Sequence, residues 1–375
     1  MNHNSNRLGI PDDSVRSKSA LADGAGWDEA LLVGVLQDLD AQDFDLSLTG
    51  FSDAELDELL ARPLTDDEAG QLDAAPTLPS APVSQLGDLW QLGDHRVVCG
   101  DSTDAPTIAR LVSADDVAAA WCDLVFTDPP YGMAYEGGRA KREAPQVVFT
   151  DPPYGMSFGA GKGAGSTAKG ALVKAHGQIL GDDVRGDALT SLVGTALQRA
   201  AEVARPGAAF YVCLTWRTYR EFADALEACG LAIAACIVWD KGSIGLGHQH
   251  YCPRHEFIFY CRGETWLGGK VEGDVWEFSR GRTEDYVHPT QKPVELVGRA
   301  LGNSSRRGEV VLDLFGGSGS TLIACEVLDR RARLVELDPK YCDVIVQRWQ
   351  SFTGRAGALA VDGRSFEEVA SARRG

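Results

Sequence analysis

Nine residues, Val125-Phe126-Thr127-Asp128-Pro129-Pro130-Tyr131-Gly132-Met133, recur without change as Val148-Phe149-Thr150-Asp151-Pro152-Pro153-Tyr154-Gly155-Met156. Each copy places a carboxylate, two prolines of fixed φ and an aromatic ring behind an apolar run that reads as a buried strand. A carboxylate and a proline carbonyl held side by side can accept hydrogen bonds from an amine, and a ring beside them can stack on a flat substrate. In an open α/β sheet that position, the C-terminal edge of a strand, is where ligands bind. One such edge serves one site, so the second copy needs its own explanation.

A second chemical signal lies near the C-terminus. Val310-Val311-Leu312-Asp313-Leu314-Phe315-Gly316-Gly317-Ser318-Gly319-Ser320-Thr321 reads as a strand, a glycine-rich turn and the start of a helix. Glycines let backbone approach a ligand closely, and a helix start offers unpaired N–H groups. About 20 residues on, another strand ends in Glu336-Leu337-Asp338-Pro339, where an acid commonly holds ribose hydroxyls. Together they point to a nucleoside-containing cofactor.

The elements that must position these groups alternate from residue 88 onward. Strands are expected at 96–99, 121–127, 208–214, 231–239, 256–261, 310–315 and 333–337. Helices are expected at 104–112, 187–204, 216–228, 293–304, 319–329 and 339–351. The fold class is therefore α/β: a doubly wound, mainly parallel, Rossmann-like sheet. Residues 134–180 break the rhythm with a Gly/Lys stretch containing Lys162, Lys169 and Lys174; it lacks the P-loop spacing. Residues 241–291 are irregular and rich in His, Arg and aromatics.

Ahead of this domain, residues 1–26 show no apolar periodicity and read as flexible. Residues 27–73 form an acidic helical segment, with Leu31, Leu32, Val35, Leu36 and Leu39 on one helical face and a capping box at Ser52 and Glu55. Residues 74–86 read as a Pro-rich linker, 87–353 as the main domain, and 354–375 as a weakly ordered tail.

Composition narrows the class. With 44% hydrophobic and 24% charged residues the chain is an ordinary globular protein. It shows no signal peptide or membrane span, so a cytoplasmic location is expected. The net charge of −18 argues against a nucleic-acid binder, but residues 1–90 hold 18 acids and 4 bases, leaving 36 acids and 32 bases beyond. A near-neutral domain can still carry a basic groove. Nine cysteines without C-x-x-C spacing read as free thiols. The cluster His248, His250, Cys252, His255, Cys261 fits no standard zinc spacing and reads as a loop entering a strand, so no metal is expected.

The two motifs together resemble the amino-group DNA methyltransferases that use S-adenosyl-L-methionine. The order, catalytic motif first and cofactor motif last, resembles the permuted β group of adenine-N6 and cytosine-N4 enzymes. His288-Pro289-Thr290-Gln291-Lys292-Pro293 is similar to the motif that precedes the cofactor strand in that group. The resemblance covers roughly residues 87–351. The N-terminal part resembles the tail of a ParB-type nuclease domain, which precedes such methyltransferases in some phage and prophage proteins. Most of that domain is absent here, and no nuclease activity is inferred.

The resemblance implies a site-specific methyltransferase acting on double-stranded DNA, of the restriction-modification type, and leaves a homodimer open. It implies that Asp313, Phe315, Gly316, Gly317, Ser318 and Gly319 line the cofactor. Glu336, with Asp338 beside it, binds the ribose and Asp101 lies near the adenine. Thr290 and Lys292 reach the methionine carboxylate. Asp128 and Pro129 accept the target amine, Pro130 holds the turn rigid, and Tyr131 stacks on a flipped base. Asp at the first motif position leans to adenine N6 over cytosine N4 by family association.

The first copy has the fuller upstream context in Trp121-Cys122-Asp123-Leu124, and is taken as catalytic. Asp151, Pro152, Pro153 and Tyr154 form the alternative, with the more natural downstream context, Gly181-Asp182-Asp183. The pattern suggests a tandem insertion of about 23 residues. Two other readings are a methyltransferase on an RNA base or glutamine side chain, and a DNA-binding protein whose duplicated loop has spoiled catalysis. DNA contacts are expected from Lys162, Lys169, Lys174 and Arg185, and from His248, His250, Arg254, Arg280 and Arg282.

Overall fold

The computed structural model describes residues 49–50, 72–113, 144–152, 184–244, 250–269, 272–279 and 291–374. The chain divides into two units, Met1–Pro63 and Leu64–Gly375, and every element below belongs to the second. The expected strand at 121–127 lies outside the described residues, as does most of the N-terminal helical segment.

Among the described residues, ten strands form one mixed sheet. In chain order they are β1 (Leu89–Leu92), β2 (His95–Cys99), β3 (Val147–Thr150), β4 (Ala209–Leu214), β5 (Ile233–Asp240), β6 (His255–Cys261), β7 (Val275–Glu277), β8 (Val310–Asp313), β9 (Arg331–Glu336) and β10 (Ala358–Leu359). Their order across the sheet is β10-β1-β2-β9-β8-β3-β4-β6-β5-β7. β2, β9, β8, β3 and β4 are mutually parallel, and β6 runs against β4 and β5. Among the described residues seven α-helices accompany them: α1 (Ala105–Val112), α2 (Asp187–Val203), α3 (Tyr219–Ala228), α4 (Val294–Ser304), α5 (Ser320–Val327), α6 (Pro339–Thr353) and α7 (Phe366–Arg374).

The central strands β3, β4 and β8 are buried at every position because both faces are covered. Val147 and Phe149 of β3, Val311 of β8 and Tyr211 of β4 pack with α4, α5 and α6. Val148, Leu312 and Val212 face the other way, onto α1, α2 and α3. Phe149 stacks on Tyr211 with ring centroids 6.3 Å apart, and the Tyr211 hydroxyl lies 2.8 Å from Ser304 Oγ.

The chain leaves β3 toward β4 on one side and leaves β8 toward β9 on the other. The two loops diverge from adjacent strands, which opens a crevice at their carboxyl ends. Everything chemically distinctive in the described chain gathers there.

Two expected loose segments are structured. Residues 74–86 run over the helical layer. Asp343 of α6 accepts the Val83 and Ser84 N–H groups at 2.6 and 2.8 Å, and Arg348 donates to Leu72 O at 2.7 Å. The expected tail beyond residue 354 supplies β10, paired with β1, and α7, whose Phe366 packs on Trp90 at 5.4 Å. Burial of Val83, Phe366 and Val369 fixes stretches whose polar, Pro-rich composition reads as linker and tail.

Candidate active site at the carboxyl edge of the sheet

The second copy of the duplicated motif forms the wall of the crevice. Its apolar run is β3 itself, seated between β8 and β4 with Val147 opposite Val311 and Val148 opposite Leu312. Asp151 is the first residue beyond the strand, and Pro152 behind it is buried. Pro153 and Tyr154 lie outside the described residues, as does the whole first copy, Asp128 to Tyr131.

Asp151 belongs to an alternating charge array. Lys292, only 4% exposed, sets its ammonium 2.6 Å from Asp151 Oδ2 and 3.3 Å from Glu256 Oε2. The other Glu256 oxygen pairs with Lys241. The Trp239 ring lies beneath both cations, 5.0 Å from Lys241 Nζ and 5.8 Å from Lys292 Nζ. Burial alone would depress the Lys292 pKa, but the Asp151 and Glu256 carboxylates outweigh it and hold the amine above its ordinary value. The Cys213 thiol, fully buried on the neighbouring strand, is pushed well up by desolvation. The Lys292 carbonyl accepts the Ser320 hydroxyl at 2.7 Å, which ties this lysine to the start of α5.

The glycine-rich turn follows β8. Gly316 N–H donates to Val335 O and Gly319 N–H to Gly316 O, both at 2.8 Å. Gly319 has φ +83°, and a Cβ there would meet Ile345 at 3.2 Å; one on Gly316 would meet the same side chain at 3.1 Å. Glycine is thus required for turn geometry and for close packing on α6. Arg348 of α6 donates to Ser318 O at 2.9 Å and steadies the turn from behind.

Two acids flank this turn. Asp313 is 3% exposed; its carboxylate accepts Phe315 N–H at 3.1 Å and the Thr321 hydroxyl at 2.7 Å. Glu336 accepts Gly317 N–H at 2.7 Å and Asp338 N–H at 2.8 Å. Desolvation pushes both acids up to about 7, against the pull of these hydrogen bonds. Asp101 stands at the same edge, exposed, with Thr103 N–H and hydroxyl both donating to it at 2.8 Å. Gly100 N–H donates to Glu336 O at 2.9 Å, which joins the two strand ends. The Asp338 carboxylate caps α6 through Lys340 N–H at 2.9 Å. Thr290 lies outside the described residues.

The structure brings together Asp151, Lys292, Asp313, Gly316 to Gly319, Glu336 and Asp101 along one edge. A cleft with acids at two strand ends, a glycine turn and a helix start suits a ligand carrying hydroxyls and a cationic centre. Sequence reading missed Glu256, Lys241 and Trp239. Glu256 reads there as the first residue of a buried strand, and no local pattern ties it to Lys292.

Of the expected DNA contacts, Lys162, Lys169, Lys174, His248, Arg280 and Arg282 lie outside the described residues. His250 is exposed. Arg254 is bound to Asp240 through two hydrogen bonds of 2.6 Å.

Comparison with known proteins follows the same outline. The Type II methyltransferase M.HpaI of Haemophilus parainfluenzae is 26% identical over 181 residues, 41% of this chain and 57% of that protein. M2.MboI of Moraxella bovis is 23% identical over 250 residues, 62% of this chain and 81% of the relative. The DNA adenine methyltransferase YhdJ of Escherichia coli (strain K12) is 38% identical over 82 residues, 21% of this chain and 28% of that protein. The chain thus spans little more than half of M.HpaI and a smaller part of YhdJ. Among solved structures, the PvuII DNA methyltransferase (cytosine-N4-specific) gives a TM-score of 0.46 at 13% identity, covering 79% of this chain and 94% of that one. Residues 30–86 match a ParB-methyltransferase HTH domain, in line with the expected ParB-like N-terminal region. Residues 145–347, more than half of the chain, match the DNA methylase family model, and the chain belongs to that family.

Proposed function

We propose that this chain transfers a methyl group from S-adenosyl-L-methionine to the exocyclic amine of a base flipped out of double-stranded DNA, with adenine N6 as the favoured target. The observation that carries this reading is Asp151, at the end of the strand next to β8 and ion-paired to Lys292.

Bound cofactor supplies an electrophilic methyl on a sulfonium. Glu336 and Asp101, at neighbouring strand ends, are suited to its ribose and adenine ends. The turn from Phe315 to Gly319 offers backbone to its remaining length, and Asp313 closes the floor beneath.

The target amine is a poor nucleophile because its lone pair is delocalised into the base. Hydrogen bonds from its N–H groups to the Asp151 carboxylate and the Pro152 carbonyl favour a pyramidal nitrogen with a localised pair. Prolines hold these acceptors rigid, and placing the nitrogen in line with the methyl supplies much of the rate. Tyr154 compensates the stacking the base loses on leaving the duplex. The second copy of the motif, not the first, fills this role in our reading. Two observations support it: β3 belongs to the second copy, and the family match begins at residue 145, beyond the first copy. Lys292, expected at the methionine carboxylate, is assigned instead to Asp151.

Incubation with labelled S-adenosyl-L-methionine and unmethylated duplex DNA, followed by nucleoside analysis, tests this function. The expected product is N6-methyldeoxyadenosine. Label in N4-methyldeoxycytidine would move the target to cytosine, and label in neither would overturn the reading in favour of a binding protein without turnover.

A further inference from the structure

Glu256 is the second residue of β6, directly opposite Trp239 of β5, on the far side of β4 from Asp151. It meets Asp151 through Lys292, and the array Asp151–Lys292–Glu256–Lys241 alternates in sign across three strand ends. The side chains of Asp151, Glu256 and Lys292 are 18%, 15% and 4% exposed. Burying four ionised groups is costly, and a simple hydrophobic seam would hold these strands as well. The array therefore calls for a chemical reason.

We propose that Glu256 is a positioning residue for methyl transfer, setting the charge and orientation of the Asp151 carboxylate through Lys292. The assignment rests on the methyltransferase reading above and extends it to a residue that does not touch substrate.

The physical case has three parts. A lysine ammonium has three donors, and a carboxylate oxygen two lone pairs. A lone Lys292 could swing about Asp151 and cover both of its oxygens. Glu256 claims one side of the ammonium and holds Lys292 on Asp151 Oδ2, which fixes the direction from which the carboxylate is paired. Second, a buried lysine tends to lose its proton, and two carboxylates support its charge better than one. A charged Lys292 in turn favours the ionised form of Asp151. Third, Lys241 fixes Glu256 from outside, and Trp239 gives both cations a common aromatic floor. Among the described residues, the titratable groups facing Lys292 include Asp151 from β3, Cys213 from β4 and Glu256 from β6, with Asp313 of β8 beyond Asp151.

The test compares full-length wild type, E256Q and E256D in methyl transfer to duplex DNA, with cofactor affinity and thermal melting measured on each. For E256Q the expected result is a kcat lower by roughly 10- to 100-fold, the scale of a misplaced reacting group. Cofactor affinity should stay within about 3-fold of wild type. KM for DNA should change less than kcat, because Glu256 does not touch substrate. E256D keeps the charge and should recover part of the lost kcat. Wild-type kcat in E256Q would overturn the proposal. So would equal kcat losses in E256Q and E256D that track their losses in melting temperature, which mark a purely structural role. Wild type without transfer would instead sink the functional reading itself, and this assignment with it.

Discussion

Asp151 and Asp313 stand at the ends of adjacent parallel strands, yet the protein treats them differently. Asp151 shares a buried ammonium with Glu256, and the ion pair keeps charge in place. Asp313, like Glu336 one strand further on, is held by N–H and hydroxyl donors, and burial raises both acids to about 7. The charged half suits chemistry that needs a constant acceptor. The neutral-partnered half suits a ligand that brings its own positive charge and ribose hydroxyls, because acids without a built-in cation gain most when one arrives. In the proposed function, one sheet edge thus carries a reaction half and a holding half, joined by Ser320, which donates to the Lys292 carbonyl.

Removing Lys292 should break the contrast most severely. Lys292→Met leaves two carboxylates facing each other, and the expected stability loss is about 3–5 kcal/mol in denaturant unfolding. Transfer activity should fall by at least about 100-fold, while cofactor binding in the folded fraction stays within about 3-fold of wild type. A cofactor affinity loss beyond about 10-fold would move Lys292 to the holding half, next to the methionine carboxylate.

Glu336→Ala acts on the other half. It strands the Gly317 and Asp338 N–H groups and should weaken cofactor binding about 10-fold or more by calorimetry. Its residual turnover at saturating cofactor should exceed that of Lys292→Met; the reverse order would erase the division.

The raised acids predict a pH signature. Between about 4, the ordinary carboxylate range, and about 7, the folded chain holds protons that the unfolded chain has released. Their contribution to stability is present at the low end and is lost as pH rises through about 7. In Asp313→Asn the amide can face the Thr321 hydroxyl while its oxygen keeps the Phe315 N–H, so the contacts survive without the charge. The melting temperature of the cofactor-free variant should fall less steeply than wild type from pH 5 to 8, and equal or exceed wild type at pH 8. A parallel, uniformly lower curve would contradict the buried-acid account.

The smallest expected effect is at Asp73, whose carboxylate accepts the Val294 N–H at 2.9 Å and anchors the helix that follows Lys292. Asp73→Ala should cost about 1 kcal/mol in unfolding, the usual worth of a helix cap, with little change in cofactor affinity.

Much of this was legible in the sequence. Apolar runs and glycine turns located β8, β9 and helices α1 to α6 to within a few residues, because buried parallel strands and amphipathic helices write their periods locally. The short strands β1 and β10 left no such signal at 4 and 2 residues. Local sequence gives no means of choosing between the motif copies, because nine identical residues carry identical local information. What separates them is the register of Val147 and Val148 on β8, some 160 residues away by the numbering. The Lys292–Asp151 pair, 141 residues apart, is equally invisible to spacing. The resemblance pointed Lys292 at the cofactor, and only the fold shows what its ammonium touches.

The central claim is that the second motif copy is the reacting one. It is tested most directly by Asp128→Ala and Asp151→Ala, made separately and assayed for transfer of labelled methyl to unmethylated duplex DNA. The account predicts that Asp128→Ala methylates within about 3-fold of wild type, while Asp151→Ala loses about 1,000-fold or more with its cofactor affinity intact. Full activity in Asp151→Ala, with loss in Asp128→Ala, would contradict it.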